Sequence, residues 1–289
     1  MREPPRDMGA SVRARLLKIA TERNQPFDLI LTRYALERLL FRLSTTSYRE
    51  RFILKGATLM AAWFDTPFRP TRDIDFLGFG DSDPEAALRA FQEICAIENN
   101  DGVVFDVERL AVDRIREELE YGGLRITTIA SIGGARSKVV IDIGFGDATE
   151  PGIADLKLPV LLDLPAPRLR AYPRETVIAE KFQAMVMLGR DNSRMKDFYD
   201  IWMLSRSYEF DSDRLAQAIA ATFARRKTTI PTDLPDALTR DFAEDPAKRK
   251  QWTSFVEAIA MKPGSLLEIV EALATFLMSH AAAARRRGA

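Results

Sequence analysis

The chain has 289 residues, 46% hydrophobic and 29% charged, which suits a folded protein with one large or two modest cores. Its 42 basic and 42 acidic residues cancel to zero formal charge, arguing against a broadly basic nucleic-acid binder while leaving room for a local basic groove. One cysteine, Cys95, rules out an internal disulfide, and one histidine, His280, in an alanine-rich tail leaves neither a zinc set nor a Ser-His or Cys-His pair.

No apolar run reaches membrane-spanning length and no apolar leader opens the chain, so a cytoplasmic protein without a membrane segment is expected. The first nine residues, with prolines and arginines, are expected to fray. Ser11 to Glu22 reads as a helix capped by Ser11, with Val12, Leu16, Ile19 and Ala20 as its stripe. Phe27 to Leu43 reads as a second helix with Leu29, Leu36, Leu40 and Phe41 apolar, followed by a polar turn at Ser44–Ser47. Phe52–Leu54 is a strand, Thr58 to Trp63 a short helix, 65–70 a proline-bearing loop, and Ile74–Phe79 a strand. Asp83 caps a helix that Pro84 opens and that runs to about Ile97. Val103–Leu110, Leu124–Ile132 and Lys138–Phe145 read as strands, with Gly133-Gly134 as a hairpin turn. The proline-spaced stretch 151–174 reads as a linker or crossover with short strands around Val160–Leu162, and Glu175 to His280 is helical. The expected domains are therefore 1–150, the linker 151–174, and 175–289.

Strand alternation puts Asp73 and Asp75 on one face and Ile74 and Phe76 on the other. Two carboxylates so placed could hold one hard cation or two close together, or could simply pair with Arg69 and Arg72. Ahead of them, Lys55, Gly56 and Thr58 stand at a strand-to-helix turn that could cradle a phosphate, and Arg72 could add to it; the plainer reading is an ordinary turn. Asp142 interrupts an apolar strand, as a third carboxylate or as an edge-strand residue facing water. Downstream, Lys181 shares a helical face with Ile178, Met185 and Leu188, and could reach a triphosphate or snorkel. Asp197 and Asp200 share a face too, and could pair locally with Arg194 and Lys196; Ser193 and Arg194 lie in the turn before them, where they could touch phosphate. The basic runs Arg225–Lys227, Lys248–Lys250 and Arg285–Arg287 read as solvated helix ends or tails.

Three segments together resemble the AbiEii/AbiGii family of nucleotidyltransferase toxins, to which the MenT toxins are related: LTRYALERLLFRLSTTSYRERFILKGATLM, then RPTRDIDF, then AEKFQAMVMLG with NSRMKDFYDIW. The likeness runs from about Ser11 to Leu204. It implies an α+β fold of the DNA polymerase β-like kind: a mixed sheet with flanking helices, then an α-helical C-terminal domain, with the active cleft between them. It implies Asp73 and Asp75 as metal-binding aspartates, Lys181 and Asp197 as essential residues, and Asp200 in a supporting role. Gly56 matches the glycine of the phosphate-holding turn, although the usual Gly-Ser or Gly-Gly is here Gly56-Ala57 with Thr58 next. Asp142 falls where the superfamily often places a third carboxylate. The same likeness implies Mg²⁺ (or Mn²⁺), an NTP substrate, the tRNA 3′ end as acceptor, and a cognate DNA-binding antitoxin encoded beside the gene. The rival expectations are a small-molecule or protein acceptor, and a non-catalytic relative that binds a partner.

Overall fold

The computed structural model describes residues 7–64, 71–115, 122–257, 259 and 261–287. The start of the chain up to residue 6 and the 65–70 loop with Arg69 lie outside the described residues. The chain divides into two units, one formed by residues 1–146 and 155–171, the other by 147–154 and 172–289.

The first unit holds α1 (Met8–Glu22), α2 (Phe27–Ser44), β1 (Phe52–Lys55), α3 (Ala57–Trp63), β2 (Asp73–Gly78), α4 (Pro84–Ala96), β3 (Val103–Phe105), β4 (Ala111–Ile115), β5 (Gly123–Ile132), β6 (Ala135–Phe145), β7 (Ala154–Lys157) and β8 (Arg168–Ala171). The strands form one mixed sheet in the order β3-β5-β6-β2-β1-β8-β7, with β4 also on β5. β3 and β4 share one edge of β5 in succession: Val103–Phe105 meet Ala130–Ile132, and Ala111–Ile115 meet Gly123–Thr127. β1 runs antiparallel to β2, while β2 runs parallel to β6.

Local chemistry explains several of these elements. Asp83 accepts from the Ala86 N–H at 2.9 Å and Pro84 opens α4, as expected. The β5–β6 hairpin turns at Gly133 and Gly134, whose φ angles of 52° and 79° suit glycine. α1 starts earlier than Ser11 because Asp7 is the better placed acceptor, bonding the Ala10 N–H at 2.9 Å. The expected strand Val103–Leu110 ends at Phe105, a 3-10 turn follows at Val107–Arg109, and the chain re-enters the sheet as β4. The stretch expected to be a linker or crossover contributes β7 and β8 to the sheet, away from the Val160–Leu162 position expected for its strands.

One face of the sheet is apolar. Ile74, Phe76, Ile141 and Ile143 are buried there, and Phe52, Phe76 and Phe91 of α4 cluster at 5.1 to 6.3 Å between ring centroids. α2 is buried on most sides: Leu36 and Leu40 of the expected stripe are buried, Leu29 and Phe41 only half-buried, and the buried set also includes Glu37, Arg38 and Arg42. Arg42 is held by a bidentate pair with Asp101, at 2.9 and 3.2 Å, and by the Ile97 and Val103 carbonyls. Glu37 accepts from the Leu161 N–H at 2.7 Å, tying α2 to the segment before β8.

The second unit is helical as expected: α5 (Arg174–Leu188), α6 (Met195–Ser207), α7 (Ser212–Arg225), α8 (Arg240–Glu244), α9 (Pro246–Glu257) and α10 (Leu266–Arg287). Phe182 of α5 meets Phe223 of α7 at 5.4 Å, and Phe198 of α6 stacks on Phe242 of α8 at 5.5 Å. Among the described residues, α10 is long and apolar enough to cross a membrane by length and composition, contrary to the expectation that no segment reaches that length. Its buried positions Leu266, Ile269, Val270, Leu273, Leu277, Ala281 and Ala284 follow helical spacing, the pattern of a helix packed on a protein core.

Glu37 generates a prediction. Burial pushes its pKa up from 4.5 to about 7, against the opposing pull of Arg38 and the Leu161 N–H. The folded state therefore holds this proton more tightly than the unfolded state. The contribution is fully present below about pH 4.5 and is lost as the pH rises through about 7. Urea unfolding at the two pH values should show the wild type losing roughly 1–3 kcal/mol more than Glu37→Gln over that interval. Parallel pH profiles would contradict this assignment.

Candidate functional site

The first cluster lies on the sheet face opposite Ile74 and Phe76. Strand register places four charged residues in one row across four strands: Lys55 on β1 opposite Asp75 on β2, Asp75 opposite Asp142 on β6, and Asp142 opposite Arg125 on β5. Neighbouring strands stand about 4.8 Å apart, so the row is short. Asp73 lies two residues before Asp75 on the same face, and its Oδ1 accepts from the Thr71 hydroxyl at 3.0 Å.

Gly56 is what lets Asp75 sit there. Its φ of 75° and ψ of −155° fall in a region that glycine alone occupies freely. A Cβ built on Gly56 would overlap the Asp75 carboxylate oxygen Oδ2 and come within 2.6 Å of Cγ. The close backbone approach read from the sequence is thus to the chain's own aspartate. The Thr58 hydroxyl points at the Asp73 carbonyl at 3.5 Å, a long contact. Arg72 reaches Asp28 on α2 at 3.1 Å, with both side chains more than 60% exposed.

Asp142 is on an interior strand, not at an edge facing water, and Arg125 grips it with two parallel bonds of 2.7 Å each. That bond, with the charge of Asp142 and the further fields of Asp73 and Asp75, raises the Arg125 pKa above its ordinary value. Among the described residues, no three Asp, Glu, His or Cys side chains gather as a metal-binding group. Asp73 and Asp75 still fit Mg²⁺ or Mn²⁺, because Mg²⁺ is commonly bound through one or two carboxylates with substrate phosphates completing its shell.

The second cluster lies in the helical unit. Lys181 of α5 sets its Nζ 2.6 Å from Asp197 Oδ1 and 3.0 Å from Asp200 Oδ2. Arg194 Nε is 2.7 Å from the other Asp197 oxygen. Both aspartates are buried, and Asp197 occupies the first turn of α6, where the helix dipole favours a carboxylate. The expected local pairing holds for Arg194 with Asp197, while Asp200 pairs across helices with Lys181. Lys181 does not snorkel; it is the shared counter-ion of two buried carboxylates, with its side chain 13% exposed. Asn192 shapes the turn before α6 by accepting from the Arg194 N–H at 2.8 Å, and its carbonyl accepts from Lys248 at 2.9 Å. Ser193 stands exposed in that turn.

Sequence reasoning missed Arg125, Thr71 and a third polar network. In that network Arg226 reaches Asp147 at 3.1 Å, Glu180 at 3.2 Å and Gln183 at 3.0 Å. Burial alone would lower the Arg226 pKa, yet Glu180 and Asp147 bring it above its ordinary value. Arg226 therefore holds α5 to the end of α7 and is no part of a solvated basic run. Arg125 carried a readable signal: counting outward from the two-glycine turn, the ladder that begins at Ile132 and Ala135 sets Arg125 opposite Asp142.

The close approach at Gly56 predicts that Gly56→Ala displaces Asp75 or strains the β1–α3 turn. Thermal or urea unfolding should show a loss of roughly 1–3 kcal/mol. Unchanged stability, with Asp75 unmoved in a structure of the variant, would contradict the steric account.

A family model described as nucleotidyl transferase AbiEii toxin, type IV toxin–antitoxin system, matches residues 38–277. Among solved structures, JHP933 from Helicobacter pylori matches with a TM-score of 0.52 and 16% identity, over 90% of this chain and 94% of that one. A second structure, a provisionally assigned nucleotidyltransferase from H. pylori, gives 0.50 and 16%, over 89% and 96%. At that identity the likeness is one of fold. No curated protein matches the sequence. The family match covers most of both units, and the chain belongs to the AbiEii nucleotidyltransferase toxin family of type IV toxin–antitoxin systems.

Proposed function

We propose that this nucleotidyltransferase moves a nucleoside monophosphate from an NTP to an RNA 3′ end, with tRNA as the acceptor, and so blocks translation. The observation that carries the reading is the pair Asp73 and Asp75 on one sheet face, with Asp75 seated against the Gly56 backbone. Those two carboxylates would hold Mg²⁺, or Mn²⁺ in its place, in a cytoplasmic enzyme. When bound, the cation would offset triphosphate charge and ease deprotonation of the attacking hydroxyl.

The chain's own residues supply the rest of the reading. Thr71 fixes the rotamer of Asp73, and Gly56 fixes the position of Asp75. In this reading the Lys55–Thr58 turn would offer its cation to phosphate oxygens, while the Gly56 backbone packs on Asp75 and the Thr58 hydroxyl faces the Asp73 carbonyl. Lys181, shared between Asp197 and Asp200, would act in this reading as the charge that orders those aspartates, and Ser193 and Arg194 in the turn before α6 would touch phosphate. Asp197 is fully buried and engaged by Lys181 and Arg194, which favours a positioning role over direct contact with the acceptor. In the reaction the acceptor 3′-hydroxyl oxygen bonds to the α-phosphorus, the bond to the β-phosphate oxygen breaks, and pyrophosphate leaves. The family implies an antitoxin partner, and a DNA-binding regulator encoded next to the gene fits that role.

Purified protein incubated with α-labelled NTPs and separate pools of total RNA, total protein or an aminoglycoside should label the RNA. Asp75→Asn should lower transfer at least about 100-fold while leaving the circular dichroism spectrum unchanged. Lys181→Met should cost activity and also about 3–5 kcal/mol of stability, because it strands two buried aspartates. An Asp75→Asn protein with full transfer would sink the reading.

A further inference from the structure

The turn that leads into α6 is tied to a helix from far along the chain. Lys248 of α9 donates from Nζ to the Asn192 carbonyl at 2.9 Å. Its ammonium also lies 5.2 Å from the centre of the Phe242 ring, and Phe242 stacks on Phe198 of α6. Lys248 is thus seated by two contacts and is not part of a solvated run. Asn192 is fully buried, and its side-chain amide is satisfied at one end only. Oδ1 accepts from the Arg194 N–H at 2.8 Å, which closes the turn and fixes which end of the amide is which. Nδ2 is buried without a hydrogen-bond partner. An aspartate would close the same turn with no orphaned donor. Its charge would also suit the N-terminal end of α6 and the Lys248 ammonium. Local stability therefore favours a carboxylate at this position, and the chain has an amide.

We propose that Asn192, clamped through its carbonyl by Lys248, is a positioning residue that aims Ser193 and Arg194 at the polyphosphate of the nucleotide, and that it is neutral so as not to repel that group. This rests on the reading above in which Ser193 and Arg194 touch phosphate, and it adds the two residues that hold them there. Ser193 and Arg194 are exposed, while Asn192 is buried. Arg194 is held from the α6 side by Asp197, at 2.7 Å from Nε to Oδ2. The exposed charges from Arg190 to Lys196 are Arg190, Arg194 and Lys196 against Asp191, which makes the surface of the turn positive. A carboxylate in place of Asn192 would set a second negative charge within the turn, where a polyanion must approach. The neutral amide keeps the shape of the turn without that charge, and one hydrogen bond goes unmade.

The test is a calorimetric titration of the full chain with sodium tripolyphosphate, read beside urea unfolding. Asn192→Asp should leave stability equal to or above that of the wild type while weakening tripolyphosphate binding at least about tenfold. Lys248→Met should weaken binding by a similar factor. Lys248→Arg can still donate to the carbonyl and lie on the Phe242 ring, and should recover to within about threefold of the wild type. A turn that serves the fold alone would lose stability in Asn192→Asp or leave its tripolyphosphate affinity untouched, and either result overturns the proposal. Lys248→Met with wild-type affinity also overturns it, as does Lys248→Arg binding no better than Lys248→Met. If the wild type binds no tripolyphosphate yet transfers nucleotide, the proposal falls and the transfer reading stands. If the affinities follow the expected pattern while RNA gains no α-label, the transfer reading falls and the polyphosphate site at the turn remains.

Discussion

The contact between the Gly56 backbone and the Asp75 carboxylate is the constraint on which the first unit's site depends. β1 and β2 pair antiparallel with Lys55 opposite Asp75, and the chain must then turn at once into α3. That turn brings a positive-φ residue over the carboxylate, leaving no room for a Cβ. Strand pairing, turn conformation and carboxylate position are therefore one packing arrangement. The parallel pairing of β2 with β6 then carries the same row on to Asp142 and Arg125.

Both units treat charge in a similar way. In the sheet unit Asp142 is matched by Arg125; in the helical unit Asp197 and Asp200 share Lys181, and Arg194 adds a second cation. Glu180 and Asp147 are matched in turn by Arg226. Buried or half-buried ionic groups persist only when paired, and pairing also locks their orientation.

Much of this was legible in the sequence where one local rule acts alone. Alternation around Asp73 and Asp75, the Asp83-Pro84 helix start and the Gly133-Gly134 turn depend on neighbours in the chain, and each stands as read. The edge-strand alternative for Asp142 fails because strand order is set by crossovers, and β6 lies between β5 and β2. The 151–174 stretch, read as a linker or crossover with short strands around Val160–Leu162, has its strands elsewhere, because the prolines mask β7 and β8 and their pairing is tertiary. Lys181 stands out in the sequence as a charge on an apolar stripe, but its partners lie one helix away and leave no mark in local spacing. Arg226 looked like part of a basic run because its acidic partners, Asp147 and Glu180, are distant in sequence.

The central claim is nucleotidyl transfer, and the fate of the two ends of the triphosphate tests it most directly. One preparation of the full chain receives NTP labelled at the α-phosphate and another receives NTP labelled at the γ-phosphate, each with RNA. The account predicts α-label joined to the RNA 3′ end and γ-label released as pyrophosphate. Label from the γ-phosphate on the RNA, or release of inorganic phosphate alone, would contradict it.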